Sequence, residues 1–427
     1  MNQVLITADR VIAGPSDEVT VGGAVLVEAG RVTAVGAAAD LDAAVEARVP
    51  RLRCPGATVM PGMTDCHVHL AFDAGPDPVG AVAEADAGEL SAAMAERAAQ
   101  LLAAGVTTVR DLGDRDALTV ALRASIDSGA VAGPRILAAT APLTSYGGHC
   151  GFLGGEVGTD EDIRARIARN AAMGADLIKV MASGGALTPG GPRMWEAQFT
   201  PGQLRLIVEE GGRHGLGVAA HAHGSQTIAD CVAAGVRTIE HCSWRTAEGI
   251  VHDPAVIRRM AEDDVAVCRC VSGDWRLFLD QMGPERAKAM AEVILEMREA
   301  GVRFIAGTDA GVPGARFGDY VGMLEFFASL GFTRREILDM ATVNAAHALG
   351  LADTGVLAPG KRADLIVVDG DPLTDLNVLR RIRHVFTAGR RAAGSDAPTH
   401  DGWHRRGGRP RRGRGGGRRR GIILGRG

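Results

Sequence analysis

The sequence predicts an α/β fold: a (β/α)8 barrel of the TIM type, with a small discontinuous β-sandwich assembled from the N- and C-terminal segments. Two observations carry this. From residue 61 to about 330, short β-rich runs alternate eight times with Ala-rich amphipathic stretches. That is the pattern of a parallel sheet covered by helices. On either side of this region, apolar and polar residues alternate between glycines instead, as in half-buried antiparallel strands. An open doubly wound sheet is the rival, and it is disfavoured because no GxGxxG-like segment opens the first unit.

Taken in order, residues 1–60 hold "VLITADRVIAG", "AVLVEAGRVTAVG" and "RLRCPGATVMPG", the first part of the sandwich. Residues 61–354 are the barrel. Its strand runs end near "HVHL", "VTTVRDLG", "RILAAT", "DLIKVMASGG", "VAAHAHG", "TIEHCS", "VAVCRC" and "RFIAGTDAG". Between them lie helical stretches such as "ELSAAMAERAAQLLAAG" and "TDEDIRARIARNAAMGA". The second opens on Thr159 and Asp162, the acidic variant of a capping box. "TRREILDMATVNAAHALGL" reads as helical, after which "GKRADLIVVDGDP" and "IRHVFTAGR" return to the strand pattern within residues 355–395. The barrel is thus an insertion between two halves of one β-domain.

Composition bounds the remaining choices. Among 427 residues, 46% are hydrophobic and only 4% aromatic, so the core is built from Ala, Val, Leu and Ile. Seven scattered cysteines, an odd number, do not form a disulfide framework. The N-terminus shows no signal-peptide pattern, and no apolar run reaches membrane-spanning length. A cytoplasmic location without a membrane partner is expected. The formal charge of −4 hides an asymmetry: residues 396–427 hold ten Arg and two Asp, leaving 37 basic against 49 acidic residues, or −12, on the rest. That Gly/Arg-rich tail is expected to be disordered. It could touch nucleic acid, but it lacks the interleaved aromatics of a base-stacking surface. A nucleic-acid-associated role is therefore the minor alternative to an enzyme.

The chemistry is carried by polar residues where apolar ones are expected. Strand side chains two apart share a face, so His67 and His69 both point into the barrel at the top of the first strand, with Cys66 and Val68 pointing outward. A lone buried histidine is usually a hydrogen-bonded core residue, but two at this spacing favour a metal. Lys179 sits inside the apolar "DLIKVM", where a bare ammonium is costly to desolvate. Beside a metal, its neutral amine can add carbon dioxide and become a carbamate able to bridge two cations. His221 and His223 end the fifth run, His241 the sixth, and Asp309 the eighth. Singly, each has a plainer explanation, such as a helix cap for Asp309. Together, five of the chain's 12 histidines fall at three strand ends, all on the face where barrel chemistry gathers. Arg110 ends the second run and faces either the pocket or Asp111 and its loops.

In the stretches "PGMTDCHVHL", "GVTTVRDLG", "DLIKVMASGG", "VAAHAHG", "TIEHCSW", "GTDAG" and "GVLAPGKRADLIVVD", the sequence resembles the metal-dependent amidohydrolase superfamily. The likeness runs over roughly residues 1 to 390 and is nearest the branch of imidazolonepropionase-like proteins and Xaa-Pro or Xaa-Arg dipeptidases. The resemblance implies a binuclear centre of two divalent ions, zinc foremost, with manganese or cobalt compatible. One ion would take His67, His69, carbamylated Lys179 and Asp309. The other would take Lys179 as bridge, His221 and His241. It also implies substrate contacts for His149, in "SYGGHC", and for His223, where dipeptidases commonly carry a tyrosine. The expected activity is hydrolysis of an amide-type C–N bond in a small carboxylate-bearing molecule, with Asp309 as proton shuttle. Opening of a cyclic amide, or deamination at a single ion, is the alternative on the same fold. Lactone or ester hydrolysis is compatible too, and homo-oligomerisation is common in such barrels.

Overall fold

The eight β-rich runs form eight parallel strands in the computed structural model, which describes residues 3–392. They are Met63–Val68, Val106–Asp111, Arg135–Ala138, Leu177–Met181, Gly217–Gly224, Thr238–Arg245, Ala266–Cys268 and Phe304–Ile305. The first three pair in one ladder and the last five in another. Backbone bonds close both seams. Between the third and fourth strands, Asp176 N donates to Ala138 O and Leu143 N to Lys179 O, each at 2.8 Å. Between the eighth and the first, Cys66 N donates to Ala306 O and Asp309 N to His67 O, also at 2.8 Å. The ring is thereby closed, and its strand ends converge on one interior.

The helices between strands start where local chemistry says they should. Thr159 and Asp162 form the expected reciprocal capping box at the head of Asp160–Ala172, and Asp86 with Glu89 does the same for Ala87–Ala103. The latter buries Leu90, Met94, Ala98 and Leu101, a stripe at helical spacing. One stretch departs from expectation. The segment after Thr333 is two helices, Arg334–Met340 and Val343–Ala348. The carbonyls of Met340 and Ala341 accept from Ala306 N (3.1 Å) and Thr64 N (2.8 Å). They are therefore withdrawn from the helix, and Thr342 turns to φ −133°, ψ −92°. The break anchors the eighth and first barrel strands.

The chain ends do join. A seven-stranded sheet runs in the order Arg390–Arg391, Ile382–Thr387, Leu365–Asp369, Arg51–Pro61, Gln3–Ile12, Val19–Glu28, Arg31–Ala37. The junction of the two halves is antiparallel, with Ile366 opposite Met60 and Val367 opposite Val59. The pair Gln3–Ile12 and Arg51–Pro61 is parallel rather than antiparallel. Two hairpin strands and the helix Ala38–Ala44 intervene, so the chain re-enters in its original direction. The sheet curls until its far edges meet around a common segment: Val32 N donates to Lys361 O and Gly389 N to Ala363 O, each at 2.9 Å. It encloses a core of its own that includes Val4, Ile6, Val25, Val59, Leu365 and Phe386. Among the described residues, no helix is long and apolar enough to cross a membrane. The Gly/Arg-rich tail expected over 396–427 lies outside the described residues.

Candidate metal centre

The first barrel strand is buried along its whole length. Its alternation brings His67 Nε2 to 3.3 Å from His69 Nε2. Val68 packs into the main core, and Cys66 packs with Cys268, Ile305 and Ala345. Asp65, also buried, accepts from His67 N (3.2 Å), Thr308 N (3.0 Å) and Thr308 Oγ1 (2.6 Å). That clamp fixes the neighbouring Asp309, whose Oδ1 lies 3.2 Å from His67 Nε2 and 3.5 Å from His69 Nε2. Asp309 has φ 60°, a strained setting of the kind that collects at functional sites.

A second group faces the first. Ligand nitrogens of His221, His223 and His241 lie within 4.8 Å of one another, as do those of His67 and His69 with the Asp309 carboxylate. The rings of His241 and His221 are 4.6 Å apart, and those of His241 and His67 are 5.2 Å apart. Simple alternation would not build this. On the sixth strand, Glu240 and His241 are adjacent, yet both reach His67, because His241 and Cys242 take φ 67° and 46°.

Lys179 is buried among both groups, and its Nζ has no hydrogen-bond partner. Its charge acts on His67, His69, His149, His221, His223 and His241 alike. Burial pushes the amine below its usual range, toward the neutral form. His69, His221 and His241 are also driven well down, first by burial and then by neighbouring positive groups. A neutral imidazole is the form that ligates a metal. His67 is the exception: burial opposes its charge, but Cys270 and Asp309 raise it to about 10. A cation at its Nε2 would take the place of that proton. An orphaned buried amine, four imidazoles and a carboxylate make a donor set that fits divalent cations.

Other expected site residues fall differently. His149 is buried with its ring 4.8 Å from His221. Its backbone N–H donates to Gln198 Oε1 at 2.8 Å, and Gln198 also donates to Met181 O and Ser183 O. His223 is half-buried, hydrogen-bonded through Nδ1 to Ser243 Oγ at 2.7 Å and stacked on His241. Arg110 does not face the pocket. Its side chain runs toward the strand starts, where Nε donates to Cys66 O (2.6 Å), Nη1 to Thr238 Oγ1 (2.9 Å) and Nη2 to Glu240 Oε1 (2.7 Å). It meets the site only through Glu240, whose Oε2 is 3.0 Å from His67 Nδ1. Sequence reasoning missed Glu240, because alternation places it opposite His241. It also missed Cys270, whose Sγ lies 3.0 Å from the same His67 nitrogen. Trp275 opens the helix Trp275–Met282, packed edge-on against Phe326 with Arg276 over its face.

The amidohydrolase family matches residues 58–392. Ochratoxinase of Aspergillus niger is 28% identical over 372 residues, covering 78% of this chain and 75% of that protein. Imidazolonepropionase of Anaeromyxobacter sp. (strain K) is 28% identical over 407 residues, covering 86% and 88%. Among solved structures, a Xaa-Pro dipeptidase with methionine bound in its active site superposes with a TM-score of 0.78 at 25% identity, covering 91% of this chain and 99% of that one.

Proposed function

This chain belongs to the amidohydrolase family and is a hydrolase acting on C–N bonds, and from that premise we propose a binuclear enzyme that cleaves the amide of a small carboxylate-bearing molecule, such as a dipeptide or an N-acyl amino acid. The observation that carries the reading is Lys179. A buried Nζ with no partner, between a His–His–Asp group and a group of histidines, is poorly explained as structure. As an N-carboxylate it would be an anion with two oxygens, the donor that a site for two cations calls for. His67, His69 and Asp309 would hold one ion with it, and His221 and His241 the other.

Bound there, divalent cations supply Lewis acidity, activating water for attack and polarising the scissile carbonyl. The remaining work falls to the chain. Asp309, beside both His67 and His69, accepts the proton of the attacking water and delivers it to the leaving nitrogen. His149 and His223 both pack against His221, with ring centroids 4.8 and 4.6 Å from its own, and contact the substrate beside the scissile bond. Arg110 and Glu240 hold the His67 ring so that Nε2 faces inward.

Purified protein supplied with bicarbonate and zinc or manganese should take up about two ions per chain and hydrolyse members of a panel of dipeptides and N-acyl amino acids. Asp309→Asn should abolish turnover while metal content stays near two. Protein that remains metal-free under these conditions would sink the reading. One tight equivalent with full activity would instead favour the cyclic-amide alternative, as would a Lys179→Ala variant that keeps its rate.

A further inference from the structure

A second unpaired buried cation lies outside the metal-ligand set. Arg269 follows the seventh strand, Ala266–Cys268, and is 94% buried, being 6% exposed. Its one hydrogen bond runs from Nη2 to the thioether of Met290 at 2.8 Å, a weak acceptor for the strongest donor fork in the protein repertoire. No carboxylate lies within ion-pair distance of it among the described residues. Arg245, the last residue of the sixth strand, is half-buried, and its Nε is likewise buried without a partner. Beyond it stands exposed Arg286, on the helix Pro284–Glu299 that also carries Met290. It too lacks a carboxylate partner among the described residues.

These three arginines are electrostatic neighbours in series. Arg286 and Arg245 repel each other, Arg245 acts on Arg269, and Arg269 is the largest charged influence on His223 after burial itself. His223 is in turn stacked on His241. The chain through residue 395 carries a formal −12, so carboxylates are abundant, yet none is supplied here. Elsewhere the fold does pair its buried guanidinium, as Arg110 with Glu240 shows. Arg269 directly precedes Cys270, whose Sγ lies 3.0 Å from His67 Nδ1, and a buried planar fork with no acid of its own matches a planar anion arriving from outside.

We propose that Arg269, with Arg245 behind it, binds the free carboxylate of the substrate at the His223 side of the pocket, and that Arg286 marks the anion's entry path. This rests on the hydrolase reading above, and it adds the residues that select the substrate class. Seating the carboxylate against Arg269 also relieves an arginine that is poorly placed without it, so binding and pocket stability are linked.

The test uses metal-loaded protein, a panel of N-acetyl amino acids and the matching N-acetyl amino acid amides, which differ in the carboxylate charge. Binding is read by calorimetry and melting temperature, and turnover by ninhydrin. The wild type should bind acids in preference to amides, and Arg269→Met should collapse that preference by roughly 30-fold or more, chiefly in KM. Arg245→Met should erode it less, and Arg269→Lys should restore part of it. Without ligand, Arg269→Met should melt higher than the wild type, because an unpaired buried charge is removed, whereas loss of a merely structural arginine would lower the melting point. Acids bound preferentially but never hydrolysed would leave the carboxylate site standing and remove N-acyl amino acids as the proposed substrates. Acids and amides bound equally by the wild type, or an acid preference that survives Arg269→Met, would overturn the proposal.

Discussion

The Glu240 carboxylate links Arg110, at 2.7 Å from Oε1, to His67, at 3.0 Å from Oε2. Burial would raise its pKa, but Arg110, then His67 and then Lys179 lower it, and the oxygen that meets His67 orients that ring. Removing one member of such a pair leaves the other charge buried alone, which costs about 3–5 kcal/mol. Glu240→Ala should therefore lower stability by that order in urea melts and weaken metal affinity roughly 10–100-fold in chelator competition, as loss of a ligand-orienting partner does. An Arg110→Met, Glu240→Met double variant should recover most of the stability but not the metal affinity. Recovery of both would mean that Glu240 only balances Arg110. The titration of the histidines gives a second prediction. His69, His221, His223 and His241 have folded-state values depressed well below the ordinary one. Their contribution to stability is present above about pH 6.5 and is lost as pH falls, because the unfolded chain then binds more protons. His67, raised to about 10, acts the other way and loses its contribution only as pH rises toward that value. His149 is lowered as well, to about 4, whereas burial raises the carboxyls of Asp65, Asp111 and Asp114 to about 6, 8 and 6, which opposes the histidines over the same range, so the histidine effect is read as a difference between variants. Metal-stripped His241→Asn should lose less melting temperature between pH 7 and pH 5 than the metal-stripped wild type.

At the scale of the element, the ligands depend on how closely the strand ends approach. Gly307 lies between the eighth strand and Asp309. A Cβ there would sit 2.3 Å from Cys268 Sγ and 3.0 Å from His67 Cβ. Gly307→Ala should push the eighth strand away from the first, lowering both metal affinity and the melting temperature. A variant with wild-type metal affinity would show that this seam gives way without moving His67. By contrast, Thr159→Ala removes only a helix cap, far from the ligands, and should cost about 1 kcal/mol with metal affinity unchanged. Much at this scale was legible in the sequence. The capping residues act on their own first turn, and each strand's burial depends on its own side chains. The break at Ala341–Thr342 was not legible, because it is imposed by Thr64 and Ala306, residues distant in sequence. The parallel pairing of Gln3–Ile12 with Arg51–Pro61 was equally hidden, since alternation says nothing about direction.

For the whole molecule, charge is divided unequally between the region through residue 395 and the ten arginines that follow. A chain ending at residue 395 should keep its metal content and hydrolysis and lose retention on an immobilised polyanion. Loss of hydrolysis on truncation would place the tail in the enzyme's working machinery. The identity and spacing of the candidate ligands were already decided by the sequence: histidines two apart on a strand, a lysine in an apolar run, an aspartate after the last strand. Strand periodicity is a local property and needs no partner to be read. What surrounds those ligands was decided only by closure of the barrel. Closure turned Arg110 away from the pocket, brought Glu240 and His241 to the same ring despite their adjacency, and left Arg269 facing no acid. Such relations depend on backbone dihedrals outside the strand region and on which residues meet across the interior, and neither is written in the order of the residues.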